Sequence, residues 1–172
     1  MTTAALPDPG SPATYRIALV CLGNICRSPM AHVVLASRVA DAGLADRVHL
    51  ESFGTGDWHV GQPMDRRAAA TLTAEGYDAT RHRARTFGVR EADAFDLVLA
   101  MDRANLEDLA DLGVDASRLR LFRSFDPEAD GEQADVPDPY YGSDDGFGEV
   151  LAIVERTGAR LVDLLQRQTS PA

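Results

Sequence analysis

The sequence predicts a single-domain α/β protein: a four-stranded parallel sheet flanked by helices on both faces. Three observations lead there. Short apolar runs at Tyr15–Val20, Val48–Phe53, Asp96–Met101 and Arg118–Arg123 alternate with stretches of helical periodicity. Glycines stand where three of those helices should stop, at Gly43, Gly76 and Gly113. Right-handed crossovers then pair the first strand with the second on one side and the third on the other, giving the order 2-1-3-4. Ligands of such sheets bind beyond the carboxyl ends of the strands where the order reverses, here the end of the first strand.

Each element has its own signal. Tyr-Arg-Ile-Ala-Leu-Val reads as a short buried strand. Ser28-Pro29 suits a helix start, with serine as N-cap and proline at the first helical position, and the helix should run to about Ala42. Asp65 is placed to cap a second helix ending at Glu75, and a third is expected over Arg103–Leu112. A polar loop from Asp126 to Asp145 precedes a last helix over about Phe147–Gln166. That loop is long for a compact domain, a sign that it carries function. Residues 1–14, rich in Pro, Gly, Ser and Thr, are expected to form a flexible tail, 15–167 the domain, and 168–172 a short C-terminal tail.

Composition narrows the function. A net charge of −10 argues against binding a nucleic-acid backbone. All 17 basic residues are arginine, which reads as compositional bias because it extends beyond any one site. Two cysteines five residues apart make no disulfide framework and point to a reducing compartment, the cytoplasm. His32, His49, His59 and His82 form no metal-ligand spacing with them, so neither metal nor cofactor is expected. No apolar run is long enough to cross a membrane, and the first residues lack the basic and apolar regions of a secretory signal. A monomer is expected.

The chemistry lies in Cys21-Leu22-Gly23-Asn24-Ile25-Cys26-Arg27-Ser28, which joins the first strand to the first helix. Amides of a tight loop and the positive end of a helix dipole converge to hold a tetrahedral oxyanion. A cysteine beneath that anion can attack it as a thiolate, and an arginine six residues on can grip two of its oxygens as a planar fork. An isolated cysteine at a strand end is usually a buried apolar residue; the Gly-Asn, Arg and Ser-Pro around Cys21 favour a nucleophile. Gly23 and Asn24 suit the positive-φ turns such a loop needs. Cys26 is either loop packing or a partner that traps oxidised Cys21 as a reversible disulfide. Expelling a phenoxide or alkoxide needs a proton donor. Asp-Pro occurs at Asp8, Asp126 and Asp138, and only Asp138 is followed by aromatics, Tyr140 and Tyr141. Asp138 is therefore the candidate acid.

Cys-x5-Arg-Ser combined with the late Asp-Pro-Tyr resembles the low-molecular-weight protein tyrosine phosphatases. The likeness runs from about Tyr15 to Leu165, through Cys21–Ala31, Ser52-Phe53-Gly54-Thr55, His82-Arg83-Ala84, Met101-Asp102 and Asp138–Gly142. It implies hydrolysis of phosphotyrosine in proteins through a phosphocysteine on Cys21. Arg27 would bind the phosphate, and Asp138 would act as general acid and then general base. Leu22, Gly23, Asn24, Ile25, Cys26 and Ser28 would form the phosphate loop, with Asn24, Ser28, Ser52 and His82 in its supporting network. Trp58, Tyr140 and Tyr141 would flank the substrate ring, although a half-buried core position is the plainer reading of Trp58. Leu22, Phe53 and His32 depart from the common threonine, alanine and glutamate, without removing a catalytic group.

Related chemistries fit less well. Thiol-coupled arsenate reductases need further cysteines, and none follows Cys26. Protein-arginine phosphatases resemble the chain but favour threonine at the position of Ile25, where an apolar residue suits a phenyl ring. A non-catalytic phosphotyrosine binder would be expected to lose Cys21, Arg27 or Asp138, and a sulfurtransferase has no need of the late acid.

Overall fold

In a computed structural model of the protein, which describes residues 4–130 and 134–169, four strands form one parallel sheet. Chain order is β1 (Tyr15–Cys21), α1 (Arg27–Asp41), β2 (Val48–Gly54), α2 (Arg66–Ala74), β3 (Leu97–Ala100), α3 (Arg103–Asp111), β4 (Leu119–Leu121) and α4 (Asp145–Thr169), with a 3₁₀ turn at Phe122–Phe125. The sheet order β2-β1-β3-β4 is the predicted 2-1-3-4. Pairing brings Cys21 beside Gly54, so the end of β2 abuts the loop that follows β1.

Alternation along β1 builds two cores. Ile17, Leu19 and Cys21 face α1 and α4, packing with Met30, Leu35, Phe147 and Leu161. Ala18 and Val20 face the other way, toward Val98, Leu109 and an aromatic cluster. In that cluster Phe53 meets Phe87 and Phe95 edge to face, with centroids 5.4 and 5.7 Å apart. The departure at position 53 thus fills the smaller core, directly beneath the end of β2.

Several boundaries differ from expectation for identifiable reasons. The first helix starts at Arg27 and its N-cap is Cys26, with no side-chain cap bond. Ser28 is therefore not the cap, and Pro29 is the third helical residue; the Ser28 hydroxyl is committed inward to Cys21, Asn24 and the Phe53 carbonyl instead. Asp96 leaves the third strand because its carboxylate accepts from the amides of Gly10 and Arg16. The fourth strand ends at Leu121, where the chain winds to bury Phe122 and Phe125. The last helix extends to Thr169, tied down by Arg47 to the Thr169 carbonyl and by Gln168 to the Pro7 carbonyl. In the N-terminal segment, Ala4 and Leu6 lie against the main core and Pro7 accepts from the Tyr15 hydroxyl at 2.9 Å. Residues 1–3 and 170–172 of the expected tails, and 131–133 of the long loop, fall outside the described residues. The Asp65 cap forms as expected, its carboxylate accepting from the Arg67 amide. Gly43 and Gly76 end their helices at φ 72° and 87°.

The long loop is rooted at Asp126. Its buried carboxylate accepts from Arg156 Nε at 2.6 Å and NH2 at 2.8 Å, from Arg123 Nε at 3.1 Å and from the Glu128 amide at 2.9 Å. Burial raises its pKa, but these bonds outweigh it and hold the carboxyl below its ordinary range. Among the described residues no helix is long and apolar enough to cross a membrane.

Replacing Asp126 with asparagine should lower the unfolding free energy at neutral pH by about 2–3 kcal/mol. A depressed folded-state pKa contributes stability above the unfolded pKa that is lost as pH falls through the folded value. Urea titrations of parent and variant should therefore converge on acidification; a gap that persisted at low pH would remove this carboxylate as the anchor.

Candidate active site

Residues 22–26 leave β1 and wrap around a single point above Cys21. The turn is made by Asn24, whose φ of 56° is the only positive value at a non-glycine residue among the described residues. Asn24 is wholly buried, and each of its polar groups has a partner. Its amide donates to Cys21 Sγ at 3.3 Å; its Nδ2 donates to Ser28 Oγ at 2.8 Å and Ser52 Oγ at 3.2 Å. Its Oδ1 accepts from the Arg85 amide at 2.8 Å, and its carbonyl accepts from His82 Nε2 at 2.6 Å. Burial lowers the His82 pKa more than that bond raises it, so the ring donates as a neutral imidazole. Ser52 and His82 thus stand behind the loop, where the sequence reading put them.

The close approach of β2 depends on Gly54. A Cβ there would lie 2.7 Å from the Leu22 carbonyl oxygen and 3.1 Å from the Asn24 amide, so any side chain would push the loop off the sheet. Among the described residues nothing accepts from the amides of Gly23, Ile25 or Cys26. With the first turn of α1 beside them, these donors form a cradle for an oxyanion.

Cys21 lies on the floor, 3% exposed. Its sulfur is 3.0 Å from Ser28 Oγ. That hydroxyl also lies 3.2 Å from the Phe53 carbonyl and has a single proton to give. An anionic sulfur is the stronger acceptor, so the proton goes to Cys21 when it is a thiolate. Cys26 is free like Cys21, but burial first, then Asp65 and Cys21, push its thiol well above the ordinary range. While Cys21 is reduced, this favours the protonated form of Cys26.

Arg27 is 3% exposed and is oriented by groups distant in sequence. Its NH1 donates to Asp102 Oδ2 at 2.6 Å and to the Val136 carbonyl at 3.1 Å. Its NH2 lies 3.5 Å from Asp138 Oδ2. Burial opposes its charge, but Cys21 and Asp102 outweigh that and raise its pKa, so it stays cationic. Asp102 serves two elements, since its Oδ1 caps α3 at the Asn105 amide.

A cavity of about 430 Å³ opens above Cys21, lined by Leu22, Gly23, Ile25, Cys26, Arg27, Trp58, His59, Asp138, Tyr140 and Tyr141. Trp58 is 66% exposed and lies across Gly56, at the mouth and not in the core. Tyr140 and Tyr141 meet edge to face at 4.8 Å, the second almost fully in solvent. Ile25 contributes an apolar wall, and Leu22 is half exposed at the rim. The structure thus brings Cys21, Arg27 and Asp138 to one cavity with Leu22, Gly23, Ile25, Cys26, Trp58, Tyr140 and Tyr141, and sets Ser28, Ser52 and His82 around Asn24 behind it.

It also adds some. Arg67 donates to Asp65 and to the Tyr140 carbonyl, and stacks over Tyr140 and Phe147, so α2 holds the segment carrying Asp138. His59 packs beneath Gly23 and faces the Tyr140 ring. Asp102 was visible only as part of a family turn, and Val136 acts through its backbone. Among the described residues no group of three or more metal-ligating side chains is gathered.

Comparison with known proteins gives one answer. Residues 16–170 match the family model described as low molecular weight phosphotyrosine protein phosphatase. The chain is 46% identical over 158 residues to a low molecular weight protein-tyrosine-phosphatase of Streptomyces coelicolor, covering 90% of this chain and 96% of that protein. It is 48% identical over 139 residues to low molecular weight protein-tyrosine phosphatase A of Mycobacterium tuberculosis, covering 81% of this chain and 84% of that one. The crystal structure of YfkJ from Bacillus subtilis superposes with a TM-score of 0.85 at 31% identity, covering 92% of this chain and 98% of the other.

Substituting alanine for Asn24 should weaken vanadate binding by roughly tenfold or more, through lost donors and an unfavourable left-handed turn. Glycine at this position removes only the second cost and should bind vanadate better than alanine does. Calorimetry showing parental affinity for the alanine variant would mean the cradle keeps its shape without this network.

Proposed function

Given that the chain belongs to the low-molecular-weight phosphotyrosine protein phosphatase family, and so is a protein-tyrosine phosphatase and a hydrolase, we propose how its own residues divide the work. The domain 15–167 acts as a monomer on tyrosine-phosphorylated proteins, since one chain supplies every group the site uses. The cytoplasm suits it, because a reducing compartment keeps Cys21 free.

The observation that carries the mechanism is the convergence of Cys21, Arg27 and Asp138 on one cavity. The phosphoryl group of the ester enters the cradle, where the unpaired amides and the Arg27 fork take its oxygens. Cys21 Sγ attacks phosphorus from below. The S–P bond forms as the P–O bond to tyrosine breaks, and Asp138 gives its proton to the departing phenoxide. A water then yields a proton to Asp138 and attacks phosphorus. The P–S bond breaks, returning the thiolate and releasing phosphate. Leu22, Gly23, Asn24, Ile25, Cys26 and Ser28 shape the cradle, Ser52 and His82 brace it, and Trp58, Tyr140 and Tyr141 pack around the ring. Apolar Ile25 beside the sulfur favours phosphotyrosine over phosphoarginine.

Cys21→Ser should abolish turnover; continued phosphate release would require another nucleophile. Asp138→Ala should slow phosphotyrosine hydrolysis by about 10²–10⁴-fold and p-nitrophenyl phosphate hydrolysis much less, because nitrophenolate leaves without a proton. Equal losses on both esters would count against the acid role.

Peroxide should convert Cys21 to a sulfenic acid that Cys26 captures with loss of water, leaving a disulfide that dithiothreitol reverses. Mass spectra containing only sulfinic or sulfonic Cys21 would rule that capture out.

A further inference from the structure

A larger hollow than the catalytic one, about 730 Å³, lies behind the phosphate loop, between the middle of α1 and the segment 76–85. Arg81, Arg83 and Arg85 line it with His32 and His82, while Val33, Ala36 and Tyr77 supply an apolar wall. The volume is that of a small-molecule site. On a protein with a net charge of −10 this wall is locally cationic.

Its charges are unevenly matched. The carboxylate on its lining, Asp78, accepts from the amide and hydroxyl of Thr80 and lies 3.7 Å from Arg81 Nε. Glu51 pairs with Arg85 at 2.9 Å. Arg83 has no carboxylate within ion-pair distance among the described residues; its NH1 reaches only the carbonyls of Thr80 and His82. His32 stands where the family resemblance leads one to expect glutamate. Burial, and then the nearby His82 and Arg85, lower its pKa to about 4, so the ring is neutral at physiological pH. Two of the three arginines thus have a carboxylate beside them and Arg83 has none, so the lining keeps an excess of positive charge.

We propose that this hollow is a second binding site, for a compact organic polyanion whose apolar body rests on Val33, Ala36 and Tyr77 and whose oxyanions pair with Arg81 and Arg83. A planar guanidinium presents parallel N–H donors that match two oxygens of a carboxylate or phosphoryl group. The site is coupled to the catalytic loop, because three of its lining residues hold Asn24 from behind. Ser52 accepts from its side-chain amide, the His82 ring donates to its carbonyl, and the Arg85 amide donates to its Oδ1. A guest that shifts His82 or Arg85 changes the footing of the residue that shapes the cradle, and by linkage an anion in the cradle changes the guest's affinity by the same factor.

The test uses benzenetricarboxylate (trimesate) as probe, titrated calorimetrically into the full chain at fixed ionic strength, with and without vanadate. One-to-one binding is expected, weakened roughly tenfold or more in the Arg81→Ala/Arg83→Ala double variant and in His32→Glu. The double variant should retain parental p-nitrophenyl phosphate turnover without the probe. In the parent, trimesate should shift vanadate affinity several-fold, and this shift should vanish in the double variant. Absence of binding, or binding undiminished in both variants, would overturn the site. Mutual exclusion with vanadate that persists in the double variant would place the probe in the catalytic cradle, with the same result. Binding that leaves vanadate affinity unchanged would overturn the coupling.

Discussion

The catalytic end of the molecule depends on one residue held in a conformation it does not prefer. A left-handed turn costs a residue with a side chain roughly 1–2 kcal/mol, and Asn24 adopts it in full burial, where any unpaired polar group would cost more. It stays because partners from three places meet it: Cys21 and Ser28 at the two ends of the loop itself, Ser52 from β2, and His82 and Arg85 from the segment that follows α2. Among the described residues the amides of Gly23, Ile25 and Cys26 have no protein acceptor. Donors arranged in advance need no reorganisation as charge develops on a transferring phosphoryl group, which is where fixed dipoles are most effective.

Arg27 plays the matching role on the cationic side. A guanidinium buried to this degree would be costly without compensation. Asp102 and the Val136 carbonyl take its NH1, fixing the plane of the fork while NH2 lies toward Asp138 on the cavity wall. Asp102 is itself immobilised by capping α3. Two helices on opposite faces of the sheet therefore meet at one salt bridge beside the cavity. The segment carrying Asp138 is fastened separately, by Arg67 at the Tyr140 carbonyl just beyond it and by Asp126 at the root of the long loop. Because Asp65 also accepts from Arg67 and donates its own amide to the Ile25 carbonyl, one short chain of bonds ties the loop after Cys21 to the segment of Asp138.

Much of this was legible in the sequence, and what was missed has a common cause. Strand order followed from hydrophobic runs and crossover handedness, and Cys21, Arg27 and Asn24 from a motif whose parts are adjacent in sequence. Ser28 misled because serine before proline is a sound local signal for a cap; its hydroxyl was taken by Cys21 and Asn24, a demand set by tertiary structure. Asp102, Arg67 and His59 act on the site across separations that no spacing rule encodes, and each looks like an ordinary surface charge or turn residue when read alone. Asp126 is the instructive case. Its Asp-Pro resembles that of Asp138, yet its side chain is sealed against two arginines while Asp138 remains partly open at the cavity. The aromatic neighbours distinguished the two copies, and burial shows why they did.

Depth and rim together favour an aromatic substrate. The sulfur sits on a floor almost closed to solvent, whereas the rim is built from large exposed side chains: Leu22 at 42%, Trp58 at 66% and Tyr141 at 92%. Exposed apolar groups clustered at a cavity mouth are costly to leave in water and are covered when a ring enters. A phosphoserine has only a methylene between its phosphate and its backbone, so reaching the floor would force the peptide itself between Trp58 and Tyr140. A phenyl ring supplies the missing length and places apolar surface against Ile25 and the rim. Discrimination on this reading rests on geometry and on surface removed from water. With a net charge of −10 the chain as a whole does not attract phosphorylated, and therefore negatively charged, protein segments, which puts the weight on that local fit.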